Sequence, residues 1–307
     1  MSDRAATPSG PAAPTAPRVV RTRAALADAL TGARGRRAVV MTMGALHEGH
    51  LSLVRLAARL ADHVVVTIFV NPLQFGAGED LDRYPRDLDG DVRLLAGAGA
   101  DLVFAPDVAT VYPEQPLVTV RAGSIADRLE GAIRPGHFDG VLTVVLKLLH
   151  LTRPDVAVFG QKDAQQLAAI RRMVADLDVP VDVVAGPIVR DADGVALSSR
   201  NAYLDGEQRA HARALYRAVL AAQAAAERGS RADGVRAAAT QVLSAEPGVT
   251  TEYVALVEEA TMADVAPEHA GPALLALAAR VGGTRLIDNT MVTLGSTRTE
   301  GSREEER

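Results

Sequence analysis

The chain has 307 residues, which is enough for two compact domains, and its 48% hydrophobic and 23% charged residues are typical of a globular protein with a sizeable aliphatic core. Its net charge of −5 argues against a nucleic-acid partner, since proteins that bind nucleic acid usually present a basic face. The chain contains no cysteine, which excludes disulfides, a thiol nucleophile and a cysteine-based metal site. Because no uninterrupted apolar run approaches membrane-spanning length, we expect a cytoplasmic protein without a membrane partner.

The two ends of the chain are biased in composition. Residues 1–17 are mostly Ala, Pro, Ser and Gly, which is typical of a disordered leader, and residues 298–307 form a charged tail. We expect neither segment to carry chemistry.

Short apolar segments alternate with helical ones through the first part of the chain. The pattern predicts strands at 37–43, 64–70, 101–106, 156–159 and 181–186, and helices at 51–61, 87–99, 138–151 and 164–177. Segment 64–70 is almost wholly apolar and β-branched, as expected for a strand that is buried on both faces. This alternation predicts an α/β protein, a Rossmann-like doubly wound parallel sheet with right-handed crossovers.

The character of the chain changes after Arg190. The sequence DADG at 191–194 is a hairpin turn signal, and an alanine-rich helix is predicted at 205–228. Strands at 251–258 and within 274–292 complete a smaller C-terminal α+β domain. We therefore place the two domains at 18–188 and 189–297.

The first chemical motif is MGALHEGH, residues 43–50, where a predicted strand ends and a helix begins. His47 and His50 share one face of the first helical turn, beside free backbone N–H groups that attract phosphate. Imidazole donors at this point can follow charge that grows on a phosphate in a transition state. A pair of surface or capping histidines is the alternative. A zinc site is a weaker one, because HEGH lacks the HExxH spacing and a third ligand.

Two amides follow the buried strand in FVNPLQF, residues 69–75. Open α/β sheets bind ligands beyond the carboxyl ends of their strands, so Asn71 and Gln74 are placed to bind a neutral polar group of a substrate. Loop capping is the alternative, and it explains Asn71 better than Gln74.

Only two of the 33 basic residues are lysine, Lys147 and Lys162. Lys147 lies in an apolar helical run, where snorkelling along the helix flank is the better explanation. Lys162 lies in FGQKDAQQ, residues 159–166, just after a predicted strand, where a compact ammonium suits a phosphate. Asp163 beside it either holds a ribose or the lysine, or caps the helix that follows.

The last motif is ALSSRN, residues 196–201. Two hydroxyls and a guanidinium on an irregular segment can clamp a polyphosphate. By itself the triplet 198–200 is weak evidence, because a helix entry or a hairpin segment uses similar residues.

Together these segments resemble the pantothenate synthetase family, also called pantoate–β-alanine ligases. The resemblance covers most of residues 37–205 and includes, in order, GEDLDRYPRD, LEGAIRPGHFDGVLTVVLKL and VFGQKDAQQ. The motifs MGALHEGH and LSSRN also resemble the paired signatures of the wider nucleotidyl transferase superfamily, which includes class I aminoacyl-tRNA synthetases. That superfamily signature is moderately specific, whereas the long ordered set is highly specific.

The resemblance implies a reaction for pantothenate biosynthesis in the coenzyme A pathway. ATP would drive the condensation of (R)-pantoate with β-alanine to pantothenate, AMP and pyrophosphate, with Mg²⁺ and through a pantoyl adenylate. The resemblance further implies a homodimer formed through the N-terminal domain and a C-terminal domain that acts as a lid over ATP.

The resemblance also assigns residues to the site. His50 is expected to stabilise charge and to donate a proton rather than attack, in a catalytic set with His47, Lys162 and Arg200. The expected contacts of pantoate and β-alanine are Gln74, Gln166 and Asn71, with Arg134 and Tyr84 as less direct participants. The expected ATP-binding residues are Met43, Gly44, Ala45, Leu46, His47, Glu48, Gly49, His50, Gly160, Gln161, Lys162, Asp163, Val189, Leu197, Ser198, Ser199 and Arg200, and no protein side chain is expected as a metal ligand.

The chain departs from the family pattern in few places. Met41 stands where the family commonly has proline before TMG, which removes no ligand. The C-terminal domain matches more loosely, apart from TRLIDN at 284–289.

Two other functions compete with the ligase. An adenylyltransferase of the same superfamily would release a stable nucleotide-containing product, and a regulatory protein would bind nucleotide without turnover. The two glutamines and FGQKDAQQ favour the ligase, and the retained histidines, Lys162 and Arg200 disfavour a loss of activity. Acidic charge and the lack of an anticodon-type appendage disfavour an RNA-binding role.

Overall fold

The structure is a computed structural model that describes residues 16–76, 81 and 84–295. The predicted tail at 298–307 and residues 1–15 of the predicted leader lie outside the described residues, as does part of GEDLDRYPRD. Within the described part of the chain, no helix has the length and apolar character needed to cross a membrane.

Among the described residues, six parallel strands form one sheet. They lie in the order β1-β4-β3-β2-β5-β6. Their bounds are β1 (Arg18–Val20), β2 (Arg37–Thr42), β3 (His63–Ile68), β4 (Leu102–Phe104), β5 (Val156–Gly160) and β6 (Asp182–Gly186). The predicted doubly wound parallel sheet is confirmed. The edge strand β1 was not predicted, because three residues are too few to show a period.

Helices connect these strands and cover both faces of the sheet. Their bounds are α1 (Arg23–Leu30), α2 (Glu48–Leu60), α3 (Leu88–Ala96), α4 (Val108–Val111), α5 (Leu129–Ile133), α6 (His137–Thr152) and α7 (Ala164–Asp176). The four predicted helices of this part are confirmed as α2, α3, α6 and α7. Helix α1 was missed because its only buried side chain is Leu26, which gives no apolar stripe.

Neighbouring residues of the central strand β2 belong to opposite faces of the sheet. Val39 packs in one cluster with Phe104 and Phe159, whereas Val40 packs in another with Val54 of α2. Both valines are fully buried. A strand that is covered on both sides needs apolar side chains at successive positions, which explains the continuous apolar runs in the sequence.

The C-terminal domain contains a second, antiparallel sheet in the order β7-β8-β9. Its elements are α8 (Gly206–Glu227), α9 (Ala232–Ser244), β7 (Val249–Val257), β8 (Gly271–Val281) and β9 (Thr284–Leu294). The predicted smaller α+β domain is confirmed, and α8 begins after Asp205, which forms a capping box with Gln208. Helix α9 was not predicted because alanine occupies both its buried and its exposed positions, so the sequence shows no clear alternation between apolar and polar residues.

The winding of the six-stranded sheet reverses between two neighbouring strands. The chain leaves β2 toward β3 on one side and leaves β5 toward β6 on the other. Such a reversal opens a crevice at the carboxyl ends of the strands. The loop after β2 carries MGALHEGH and the turn after β5 carries GQKD, so the topology puts these two motifs on either side of one crevice.

Candidate active site

A crevice opens at the carboxyl ends of β2, β3 and β5. Its space of about 1180 Å³, including the open mouth, is sufficient for a nucleotide and a small acid. Most of the predicted site residues line it, namely Met43, His47, Gly49, His50, Gln74, Tyr84, Arg134, Gly160, Lys162, Asp163, Gln166, Val189, Leu197, Ser198, Ser199 and Arg200.

Six predicted site residues lie elsewhere. Glu48 forms an ion pair with Arg55 on the exposed side of α2, away from the crevice. The other five do not line the crevice and are Gly44, Ala45, Leu46, Asn71 and Gln161. Their predicted contacts with ATP or pantoate stay predictions, and all five lie in loops or turns that also carry lining residues.

His47 and His50 form the start of α2. His47 is the N-cap, and its Nδ1 accepts a hydrogen bond from the Gly49 N–H at 3.2 Å. The Nδ1 of His50 accepts from the His47 N–H at 3.4 Å. Because both Nδ1 atoms face backbone donors, each neutral ring carries its proton on Nε2. The pair is thus a helix cap, as the alternative interpretation predicted, and also two ring donors in the wall of the crevice.

Both imidazoles are neutral at physiological pH. Burial lowers the pKa of His47, and the positive charge of Lys162 lowers it further. Burial, with a smaller contribution from His47, lowers the pKa of His50 to about 3. Each ring therefore offers an N–H donor instead of a full positive charge.

A buried carboxylate supports the loop before the histidines. Asp91 of α3 is 3% exposed, and its oxygens accept from the Leu46 N–H at 2.7 Å and the Ala45 N–H at 3.1 Å. Gly44 and Ala45 have left-handed φ angles of 86° and 51°, so these two bonds hold a sharply turned backbone. Asp91 was not predicted as a site residue, because it lies in a polar helix that resembles a solvated one.

These contacts correct one expectation from the sequence. The backbone N–H groups of Ala45, Leu46, His47 and Gly49 donate to acceptors within the protein, so they are not free to bind phosphate. The imidazole Nε2–H groups are donors that this loop can present to a phosphate in place of these four backbone groups.

Lys162 and Asp163 lie in a short 3-10 turn between β5 and α7. The lysine Nζ is 3.6 Å from the Asp163 Oδ1. Desolvation by the surrounding groups raises the pKa of Asp163, whose side chain is still about half exposed, but the positive charges of Lys162 and Arg200 lower it below its usual value, so the carboxylate is ionised. Asp163 makes no side-chain capping bond to α7. The capping alternative is therefore wrong, and the carboxylate belongs to the crevice.

The segment that carries Arg200 is fixed by local hydrogen bonds. The Ser198 Oγ accepts from the Arg200 N–H at 3.3 Å, and the Asn201 Nδ2 donates to the Ala196 carbonyl at 3.0 Å. The predicted DADG turn precedes this segment, closed by a bond from the Gly194 N–H to the Asp191 carbonyl at 2.9 Å. The hairpin thus returns the chain to the crevice, where Arg200 is close enough to lower the pKa of Asp163.

Gln74 is held by several neighbours. Its Nε2 lies 3.0 Å from the Met43 Sδ, its Oε1 accepts from the Asn71 Nδ2 at 3.2 Å, and its carbonyl accepts from the His137 Nδ1 at 2.8 Å. Asn71 is 1% exposed, and its Oδ1 accepts from the Tyr112 hydroxyl at 3.1 Å. Asn71 is therefore a buried residue that holds Gln74 in place. This structural role is closer to the loop-capping alternative than to a direct substrate contact.

His137 is a second site residue that was not predicted from the sequence. It lines the crevice at the start of α6, and its Nε2 lies 2.9 Å from the Arg134 Nη1. Since the Nδ1 donates to the Gln74 carbonyl, the Nε2 accepts from the guanidinium. The only signal in the sequence was its place in RPGHF, inside the segment that carries the family resemblance.

Lys147 has the packing role that its apolar surroundings predicted. Its Nζ lies 5.0 Å from the centre of the Tyr112 ring. Burial lowers the pKa of this lysine, and Arg23 contributes in the same direction. Lys147 does not line the crevice, so Lys162 is the lysine that faces a ligand there.

A doubly wound sheet with histidine, lysine and arginine side chains in its switch-point crevice defines a nucleotide-dependent α/β enzyme. The model of the family described as pantoate–β-alanine ligase matches residues 18–291. The chain belongs to this family, and it is an ATP-dependent ligase that joins pantoate to β-alanine.

Relatives and solved structures agree with the family model. Pantothenate synthetases from Acidothermus cellulolyticus and Streptomyces coelicolor are 54% and 51% identical, covering 89% and 92% of this chain and 91% and 97% of their own lengths. The pantothenate synthetase structure from Thermus thermophilus is 48% identical with a TM-score of 0.85, covering 89% of this chain and 98% of its own. The ligase from Francisella tularensis, described as complexed with β-γ ATP and β-alanine, is 31% identical with a TM-score of 0.75, covering 90% and 98%.

Proposed function

We propose that the crevice performs the ligation in two steps. A carboxylate oxygen of (R)-pantoate attacks the α-phosphorus of ATP, the bond from that phosphorus to the bridging oxygen breaks, and pyrophosphate leaves. The amine of β-alanine then attacks the acyl carbon of the pantoyl adenylate, and the carbon–oxygen bond to AMP breaks. The nitrogen loses a proton, and pantothenate and AMP are released.

The convergence of four side chains carries this proposal. His47, His50, Lys162 and Arg200 come from three separate loops and line one crevice. Lys162 affects the pKa of both histidines, and together with Arg200 it lowers that of Asp163. The four are therefore near enough to act on one polyphosphate.

Each of the four has a role that suits its chemistry. We assign Lys162 and Arg200 to the phosphates, where fixed positive charges offset the charge of the leaving pyrophosphate. We assign the Nε2–H groups of His47 and His50 to the α-phosphate, where negative charge grows during attack. Neutral donors suit this role because their hydrogen bonds become stronger as negative charge grows on the α-phosphate oxygens.

The remaining lining residues divide between the nucleoside and the acid. We assign Gly160, Val189 and Leu197 to the nucleoside, since they form the less polar side of the crevice. Gln74 and Gln166 offer amides to the hydroxyl and carboxylate groups of pantoate, and Gln74 lies beside Arg134, which would offset the charge of a carboxylate.

Mg²⁺ fits this site as a partner of the ATP phosphates. Mg²⁺ is usually bound by one or two carboxylates together with phosphate oxygens and water. Asp163 supplies one ionised carboxylate beside the phosphate-binding lysine. We propose that Asp163 contacts the ion through its bound water and not as a direct ligand, and that the ion would neutralise phosphate charge. The Asp163→Asn variant should then need more Mg²⁺ for half-maximal pyrophosphate release, and an unchanged requirement would contradict this contact.

The assembly, the domain division and the compartment are also proposals. Leu117 and Val118 are 98% and 87% exposed on the N-terminal domain, and adjacent exposed apolar side chains support a contact between two copies of the chain. Light scattering should give the mass of a homodimer, and Val118→Asp should shift it toward the monomer. The division between 18–188 and 189–297 is supported by the end of β6 at Gly186.

The cysteine-free composition supports a cytoplasmic location.

Mass spectrometry of the products tests the reaction itself. With ATP, pantoate and β-alanine, we expect pantothenate, AMP and pyrophosphate in equal amounts. Without β-alanine, release of pyrophosphate should stop after a single turnover and no free AMP should appear, because the adenylate stays bound. Continued release of a free nucleotide-containing product without the amine would instead support an adenylyltransferase, and ATP binding without pyrophosphate release would support a regulatory protein.

A further inference from the structure

Asn289 of the C-terminal domain reaches the turn that carries Lys162. Its amide Nδ2 donates to the Gln161 carbonyl at 3.0 Å and to the Lys162 carbonyl at 2.8 Å. The asparagine is 3% exposed, so water competes little with these bonds. One side chain therefore fixes two successive peptide groups, one on each side of the lysine Cα.

The orientation of this amide is determined by its surroundings. If the amide were flipped, its oxygen would face two carbonyl oxygens. In the present orientation, the Oδ1 is buried and has no hydrogen-bond partner among the described residues. A buried polar atom without a partner is costly, and such costs are usually retained where function requires them.

The strand that carries Asn289 is itself firmly anchored. The Asp288 Oδ1 accepts from the Asn289 N–H at 2.8 Å, and the same carboxylate accepts from the Arg190 guanidinium at 2.6 and 2.9 Å. The guanidinium carbon in turn lies 4.4 Å from the centre of the Tyr216 ring. The backbone that carries the Asn289 amide is thus fixed by these contacts within strand β9.

We propose that Asn289 is a positioning residue for Lys162. The lysine side chain is long and flexible, so the place of its ammonium depends on a fixed backbone. A misplacement of about 1 Å in an active site can lower a rate by roughly 100-fold. The inference rests on the role of Lys162 under the proposed function, and it adds that the C-terminal domain sets the geometry of this lysine.

Three single variants measure the effect. Asn289→Ala removes both donors, Asn289→Asp keeps the shape but sets oxygens against two carbonyls, and Asn289→Ser keeps one donor. The matched control is Thr290→Val, which removes a bond from the Gln223 Nε2 to the next residue on the same strand and does not touch the lysine turn.

We expect Asn289→Ala and Asn289→Asp to lower the kcat of pyrophosphate release by about 10- to 100-fold, with the KM for pantoate within about threefold of its original value. Asn289→Ser should give an intermediate rate, and Thr290→Val should stay within about twofold. Normal kcat in soluble, folded Asn289→Asp or Asn289→Ser would overturn the inference. Those two variants also decide the matter if Asn289→Ala fails to fold.

A double-mutant cycle separates positioning from a general structural role. If Asn289 acts through Lys162, then Asn289→Ala should lower the residual rate of Lys162→Ala by less than about threefold. An equal loss in both backgrounds would show that Asn289 acts independently of the lysine. If Lys162→Ala alone has normal activity, the proposed function fails. If Lys162→Ala is impaired while the Asn289 variants are normal, only the present inference fails.

Discussion

The imidazole rings of His47 and His50 lie with their centres 4.1 Å apart and their planes inclined by 39°. Each ring is held by a backbone N–H on its Nδ1, and burial depresses the pKa of both. Two protonated imidazoles at this separation would repel each other. The arrangement is therefore stable with neutral rings, and this neutrality leads to the first prediction.

The stability of the protein should depend on pH through these histidines. An unfolded histidine binds a proton below about pH 6.5, whereas folded His50 has a pKa of about 3. The unfolded state thus binds more protons in this interval, and the free energy of unfolding should fall as the pH decreases from about 6.5 toward 3. Urea unfolding of His50→Asn should show a shallower pH dependence than the original protein. Substitution of the exposed His150 by Gln is the control, and identical slopes for all three proteins would contradict the prediction.

Removal of the His50 ring should slow formation of the adenylate. A preorganised donor to a charged transition state contributes roughly 100- to 1000-fold to a rate. We expect His50→Ala to lower the rate of pyrophosphate release in rapid-quench experiments by about this factor. Circular dichroism should show that the fold is intact, since the ring caps only the first turn of α2. A rate within about threefold of the original, well below the expected loss, would remove His50 from the proposed mechanism.

Asp91→Asn should lower both the free energy of unfolding and the adenylation rate, although Asp91 does not line the crevice. The two carboxylate oxygens accept from separate N–H groups, and an asparagine would set its NH₂ group against one of them. The unpaired N–H should cost about 1–3 kcal/mol in the free energy of unfolding. The adenylation rate should fall as well, because the backbone before His47 would relax. Chemical denaturation and pyrophosphate release measure the two effects, and unchanged values of both would show that this support is dispensable.

Gly140→Ala should disturb pantoate binding from a distance. A methyl group at this position of α6 would clash with the backbone of Leu73 and Gln74. The clash should displace the Gln74 amide and raise the KM for pantoate by more than the KM for ATP. Gly206→Ala at the start of α8 is a matched control, because a methyl group there meets no atom within 4 Å. Equal KM values in the two variants would argue against a substrate contact by Gln74.

The loops that meet at the crevice could be predicted from the sequence because parallel strands share one carboxyl edge. His47, Gln74 and Lys162 each follow a buried apolar strand, so their approximate meeting point follows from the order of the elements. The apolar runs and the turn glycines are local signals, which is why β2, β3, β5 and the long helices were found at nearly their observed bounds.

The residues that hold the backbone of these loops, Asp91 and Asn289, could not be predicted in this way. Asp91 and Asn289 lie 45 and 127 residues from the backbone groups that they hold. Asp91 has no local pattern that marks it, and the TRLIDN segment that ends in Asn289 carries the family resemblance but does not indicate a contact with Lys162. Asp91 resembles an ordinary charged residue of a polar helix, and Asn289 resembles one polar position of an exposed strand. Their roles depend on tertiary packing between distant elements, which residue spacing does not encode.

The contact from β9 has a consequence for synthesis of the chain on the ribosome. All the side chains assigned to ATP have emerged by Arg200, yet the amide that braces the lysine turn belongs to residue 289. A nascent chain can therefore expose its proposed phosphate-binding side chains early, but it gains the braced turn only after residue 289 has been translated. A chain that has not yet reached residue 289 therefore lacks the contact that we propose positions Lys162.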